Sequence, residues 1–159
     1  MTSTAERIHA FIAQPAMAIV GMSRSGKKFG NAAFRELRAK GYRLYPIHRS
    51  APAIDGVPCY RSLREIPEPV DAVLVVVPPD AARQVVREAA AAGMHHVWLQ
   101  QGAESPEVLA LCRDLDLEVV AGECILLFAK PTGVHRAHRW MRRVWGTLPT
   151  RETMLVKRA

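Results

Sequence analysis

Short unbroken apolar runs alternate along this chain with longer stretches whose apolar residues recur at helical spacing. Unbroken β-branched runs mark strands covered on both faces, and recurrence every three to four residues marks helices. The clearest run is Asp71-Ala72-Val73-Leu74-Val75-Val76-Val77, stopped by Pro78-Pro79. Further strands are expected at 17–21, 42–47, 57–60, 96–99 and 117–121, with Trp98 in a central one. Helices are expected at 4–14, 31–40, 81–92 and 105–115, and a single helical turn at 62–66. Ser3-Thr4-Ala5-Glu6 has the spacing of a capping box. Asp80 is placed to cap the third helix. Ser105-Pro106-Glu107 puts serine, proline and an acid where a helix start favours each. Gly41 and Gly93 are placed to end helices, and Asp55-Gly56 reads as a turn.

Strands alternating with helices predict an α/β fold, a doubly wound, Rossmann-like parallel sheet over residues 1–129. Right-handed crossovers favour the strand order 3-2-1-4-5. Ligands of such sheets bind beyond the carboxyl ends of the strands, where the winding reverses. That edge should carry residues 21–30, His48-Arg49-Ser50, Pro78-Pro79-Asp80, Gln100-Gln101-Gly102 and Gly122-Glu123-Cys124.

The stretch from Gly21 to Gly30 has the order strand, glycine turn, helix, and it is basic. This arrangement aims free backbone N–H groups and the positive end of a helix at the turn, which suits phosphate. Gly21, Met22, Ser23, Arg24, Lys27 and Lys28 are therefore candidate ligand contacts. A P-loop reading matches Gly21 to Lys27, but Lys28 replaces the hydroxyl that would hold magnesium, and the strongest strand ends in prolines instead of an aspartate. Nucleotide hydrolysis is disfavoured. A dinucleotide reading fails on spacing, since the glycines fall at 21, 26 and 30. The end of the second strand reads His48-Arg49-Ser50, with no acid for the ribose of NAD. An arginine there suits a ribose bearing an extra phosphate, which keeps NADP and coenzyme A open.

From about Met17 to Leu127 the chain resembles the small stand-alone CoA-binding domain family, itself similar to the N-terminal domain of the succinyl-CoA synthetase alpha subunit. The resemblance is carried by Ile19-Val20-Gly21-Met22-Ser23, Gly41-Tyr42-Arg43-Leu44-Tyr45-Pro46-Ile47, residues 60–67, residues 71–79, Val97-Trp98-Leu99-Gln100-Gln101-Gly102 and Cys124-Ile125. It implies that the first glycine loop, here Gly21, Ser23 and their neighbours, holds a pyrophosphate. It places the ribose phosphate near His48 and Arg49, and lines the groove with Pro78, Pro79, Gln101 and Gly102. It implies coenzyme A or an acyl-CoA as ligand and transfers no catalytic histidine. The family usually shows Asn-Pro where this chain has His48-Arg49, and Asp-Arg-Cys where it has Gly122-Glu123-Cys124.

The charge sharpens the division of the chain. The net charge of +7 lies wholly beyond Ala129, where eight basic residues face the single acid Glu152. Residues 134–145 have helical periodicity. Val134, Ala137, Trp140, Met141, Val144 and Trp145 fall within an arc of about 140°, and four arginines take the other side. The expected cover for that face is the chain's own sheet domain or a second copy in a homodimer. An anionic membrane surface and nucleic acid are weaker alternatives. His135 and His138 show no third metal ligand. Cys59, Cys112 and Cys124 have neither disulfide-framework nor zinc-knuckle spacing, which fits a cytoplasmic protein. Cys124 is expected to be structural, although a helix start there would lower its pKa. Glu123 has no paired acid or nucleophile, and no Ser-His-Asp or Cys-His set can be assembled. The expected function is binding of coenzyme A rather than catalysis, with an NADP oxidoreductase and an interaction scaffold as alternatives.

Overall fold

Every helix expected within residues 3–129 is present in the computed structural model, which describes those residues. The elements run α1 (Thr4–Ile12), β1 (Ala16–Val20), α2 (Phe29–Ala39), β2 (Arg43–Ile47), β3 (Ala53–Ile54), β4 (Val57–Pro58), β5 (Ala72–Val75), α3 (Pro79–Ala91), β6 (His96–Gln100), α4 (Pro106–Asp114) and β7 (Glu118–Glu123). Short 3₁₀ turns occupy Leu63–Glu65 and Ile125–Leu127. The basic helix expected at 134–145, with His135, His138, Trp140 and Trp145, lies outside the described residues.

Five strands form one parallel sheet in the order β2-β1-β5-β6-β7. One apolar layer joins α1, α2 and the β3–β4 hairpin to the sheet through Phe11, Met17, Ile19, Phe34, Leu74 and Trp98. The other joins α3 and α4 through Val73, Val75, Val86, Leu99 and Val108. The unbroken apolar run at 72–75 is buried on both sides, as its composition requires. Trp98 is fully buried. Its ring stands between Phe11, centroid at 5.3 Å, and Phe128, at 6.0 Å, and its Nε1 donates to the Glu123 carbonyl at 3.1 Å.

Three expectations need correction. The strand expected at 57–60 does not join the sheet as a third strand. Asp55 and Gly56 both adopt positive φ, 50° and 74°, as a two-residue hairpin turn of the twisted kind requires. Val57–Pro58 therefore folds back antiparallel on Ala53–Ile54. Only Tyr60 reaches the edge of β2, as a single parallel bridge to Ile47. The order thus begins at β2. Second, Asp80 is not the cap of α3. Pro78 is the N-cap and Pro79 the first helical residue, a position where proline's fixed φ fits and its missing N–H costs nothing. Third, α2 begins at Phe29, ahead of Asn31.

The serine caps are as expected. Ser3 and Glu6 form a reciprocal capping box. The Ser105 hydroxyl accepts from the Val108 amide at 3.2 Å.

The tightest packing lies where β1, β5 and α2 meet. A Cβ on Gly21, which sits at φ +117°, would lie 2.1 Å from the Val76 carbonyl oxygen. A Cβ on Gly30 would lie 2.5 Å from the Gly21 carbonyl oxygen. Gly21→Ala should therefore cost on the order of 3 kcal/mol or more, whereas Ser105→Ala should cost about 1 kcal/mol. Urea unfolding of the two variants checks the ranking.

Candidate functional site

The winding reverses between β1 and β5. From β1 the chain passes through α2, on one face, to β2; from β5 it passes through α3, on the other face, to β6. This leaves a crevice beyond the carboxyl ends of the two neighbouring strands. The helices α2 and α3 both begin there. Neither Lys28 nor Pro78, their N-cap residues, makes a side-chain cap, in contrast to Ser3 and Ser105. Pro79 has no N–H to give, so α2 supplies the better donor end.

The glycine turn is held from below by a buried amide. Asn31 is fully buried; its Oδ1 accepts from the Ser23 amide and its Nδ2 donates to the Ser23 carbonyl, each at 2.9 Å. The Gly26 amide donates to the same carbonyl at 3.1 Å, and the Ser23 hydroxyl accepts from the Ser25 amide at 3.1 Å. Arg35 braces the outer side, donating to Asp55 at 2.8 Å and to the Gly26 carbonyl at 3.3 Å. Met22 sends its side chain into the core, so it meets the crevice only through its backbone. Arg24, Lys27 and Lys28 are exposed along the turn.

Beyond β2, His48 organises the next loop. Its Nδ1 accepts from the Ser50 amide at 3.3 Å and the Ala51 amide at 2.9 Å. An acceptor at Nδ1 places the proton of the neutral ring on Nε2. Arg24 then crosses from the glycine turn and donates to the Ser50 hydroxyl at 2.6 Å. Arg49 points elsewhere. It is 82% exposed, and its guanidinium lies 3.7 Å from Glu88 on α3.

The structure thus gathers Gly21, Ser23, Arg24, Lys27, Lys28 and His48 around the start of α2, with Pro78 and Pro79 on the β5 side. Gln101 and Gly102 sit one strand further, after β6. The Gln101 amide donates to the Gly122 carbonyl at 3.3 Å, and the Gly102 amide donates to Glu104 at 2.8 Å. Gln100 is buried and accepts from the Ile125 amide at 3.2 Å. Asn31 and Arg35 were not among the sequence candidates, and Ser50 and Asp55 were placed only as part of the ligand edge and of a turn. Asn31 carried a usable signal, a polar residue on the same helix face as Phe34 and Leu37.

Other reactive groups lie away from the crevice or are inert. Burial pushes the Cys112 thiol up to about 11 and raises Cys59 as well. Cys124 is half-buried at the start of a three-residue 3₁₀ turn. His95 and His96 flank Asp71, at 2.9 and 3.7 Å, on the opposite edge of the sheet. No group of three or more metal-ligating side chains occurs among the described residues. No helix among them is long and apolar enough to cross a membrane.

Comparison with known proteins agrees with this architecture. A conserved hypothetical protein from Pyrococcus furiosus is 39% identical and superposes with a TM-score of 0.66 over 69% of this chain and 95% of that one. A hypothetical protein from Pyrococcus horikoshii is 25% identical, with a TM-score of 0.71 over 78% of this chain and 87% of that one. The alpha subunit of an ADP-forming acetate–CoA ligase II from Pyrococcus furiosus is 26% identical over 120 residues, 69% of this chain. The chain spans only 26% of that subunit's length. Residues 15–130 match the CoA binding domain family. The match takes in the glycine turn, both uncapped helix starts and all five strands of the sheet, and the chain belongs to the CoA binding domain family.

Proposed function

We propose that this chain binds coenzyme A or an acyl-CoA in the crevice between β1 and β5, and that it is a binding module and not an enzyme. The observation that carries the reading is the position of the glycine turn. It lies inside the matched CoA binding domain, on the reversal point of the sheet, beside an uncapped helix start. The backbone of the glycine turn outside Ser23, whose amide Asn31 takes, and the first turn of α2 receive the pyrophosphate, with Lys27 and Lys28 supplying positive charge. Pro78 and Pro79 form the apolar wall on the β5 side, and Gln101 and Gly102 line the groove further along. The family match favours coenzyme A over NADP. Residues 1–129 carry the binding, and the cationic segment 130–159 serves packing or association with a second copy.

Asn31 matters here because it consumes the Ser23 amide and so fixes which loop N–H groups remain to face a ligand. The turn is organised before a ligand arrives, which lowers the ordering cost of binding.

In a thermal-shift experiment, coenzyme A at a hundredfold excess over its Kd should stabilise the full chain by about 2.7 kcal/mol. NADP at the same concentration should produce a smaller shift. No shift with coenzyme A, from protein shown to be ligand-free, contradicts the reading. Asn31→Ala strands the Ser23 amide, so it should lower stability by about 1–3 kcal/mol. It should also weaken coenzyme A binding in calorimetry at a temperature where the variant is still folded.

A further inference from the structure

The two edges of the sheet end differently. At the β2 edge Tyr60 closes the strand: its amide donates to the Pro46 carbonyl at 2.9 Å, and its carbonyl accepts from the His48 amide at 2.8 Å. Pro46, within β2, has no N–H to offer. At the β7 edge nothing among the described residues pairs with the outer side of the strand. Natural sheets blunt an open edge with proline, lysine or a bulge. Residues 117–121 read Leu-Glu-Val-Val-Ala, with no proline and no lysine. The bulge comes only after them, since Leu99 faces Ala121 and Gln100 faces Glu123. The one charged side chain of this stretch, Glu118, is turned to Arg7 on α1 at 3.1 Å. Leu115, which leads into the strand, is 37% exposed. Leu117, Val119 and Ala121 are only partly buried against the α3–α4 layer.

The ladder to β6 decides which backbone groups are open. The Glu118 amide donates to the His95 carbonyl at 2.8 Å. Along a parallel strand, alternate residues turn both their N–H and their C=O to the same neighbour. Glu118 and Val120 therefore face β6, and Val119 and Ala121 face outward. The open stretch is bounded at both ends. The Leu117 amide is already given to the Cys112 carbonyl at 2.9 Å. The Glu123 carbonyl already accepts from Trp98 Nε1 at 3.1 Å.

We infer that two copies of this chain associate through β7, antiparallel about a two-fold axis at Val120, so that the sheet of one copy continues into the other. In an antiparallel ladder, hydrogen-bonded residues that face each other exchange both bonds. About Val120, Val119 faces Ala121 of the second copy, and Ala121 faces Val119 of the second copy. Every open group on the edge then has a partner, and no group already in use is needed. An axis at Val119 would need the Leu117 amide, and an axis at Ala121 would need the Glu123 carbonyl. The same register sets Glu118 opposite Gly122, away from a like charge. One surface serves both copies, as a two-fold contact requires, and this self-complementarity selects a second copy as the partner. The partly exposed side chains of Leu117, Val119 and Ala121 adjoin their equivalents on the α4 side of the joined sheet. The crevice between β1 and β5 stays open in both copies, because β6 separates it from the contact.

Sedimentation velocity of the full chain over a dilution series, combined with backbone hydrogen exchange, tests the pairing. The wild type should sediment as a dimer at high concentration and dissociate on dilution. The Val119 and Ala121 amides should be protected from exchange only in the dimer. Val119→Pro removes one donor from each copy without touching the ladder to β6, and it should weaken association by at least about tenfold. Val119→Lys keeps the backbone N–H and sets a charge on the edge, so it should weaken association as well. It serves as the second variant if Val119→Pro does not fold. A wild type that is monomeric at every concentration overturns the inference, and protection of both amides in that monomer would assign the edge to residues 130–159 instead. A dimer that the folded variants leave intact, or one in which the Val119 and Ala121 amides exchange freely, uses another surface and overturns it too.

Discussion

Three backbones meet at Gly21 with no room for a single methyl group. The end of β5 presses on it through the Val76 carbonyl, and α2 presses on it through Gly30. Most of what matters in this protein follows from that contact. The carboxyl ends of β1 and β5 are held side by side, with the Val76 amide donating to the Val20 carbonyl at 2.8 Å. The start of α2 is drawn over the end of β1, which leaves its first-turn amides beside the crevice. Glycine at 21 and 30 is thus a packing requirement first, and the helix start beside the crevice is what that packing leaves behind.

The turn between the two glycines is then fixed by side chains rather than by a ligand. Asn31 holds Ser23 from inside, and Arg35 holds Gly26 from outside while tying it to the β3–β4 turn at Asp55. His48 does the same service for the loop after β2. Two preformed loops joined by Arg24 make a rigid rim on one side of the crevice. The other side is the proline pair at the start of α3, where neither proline has an N–H to offer. In the proposed binding mode, a ligand is gripped through one wall and packed against the other.

The fold was largely legible because its determinants are local. The unbroken apolar run at 72–75, the serine caps and the glycine stops each state their own conformation. The exceptions are places where a local rule had a competitor. Asp55-Gly56 was read as a turn and 57–60 as a strand, yet a two-residue hairpin at that turn necessarily takes Val57–Pro58 away from the sheet. Asp80 is a good cap residue, but a proline pair just before it sets an earlier start. The site was legible as a loop but not as a set of contacts. Whether Arg24 or Arg49 turns toward the crevice depends on Ser50 and Glu88, which are distant in sequence and brought near only by the folded sheet. The clamp by Asn31 is likewise a tertiary arrangement, since Ser23 precedes the helix that carries it.

The central claim is that the rim built on Gly21 is where coenzyme A sits. A ¹⁵N–¹H correlation spectrum of the full chain, recorded through a coenzyme A titration, tests it residue by residue. The largest shift changes should fall on the amides of residues 22–30 and of Ser50 and Ala51, while Met94 and His95, at the opposite edge of the sheet, stay in place. Changes concentrated at that opposite edge, or no changes at all, would contradict the account.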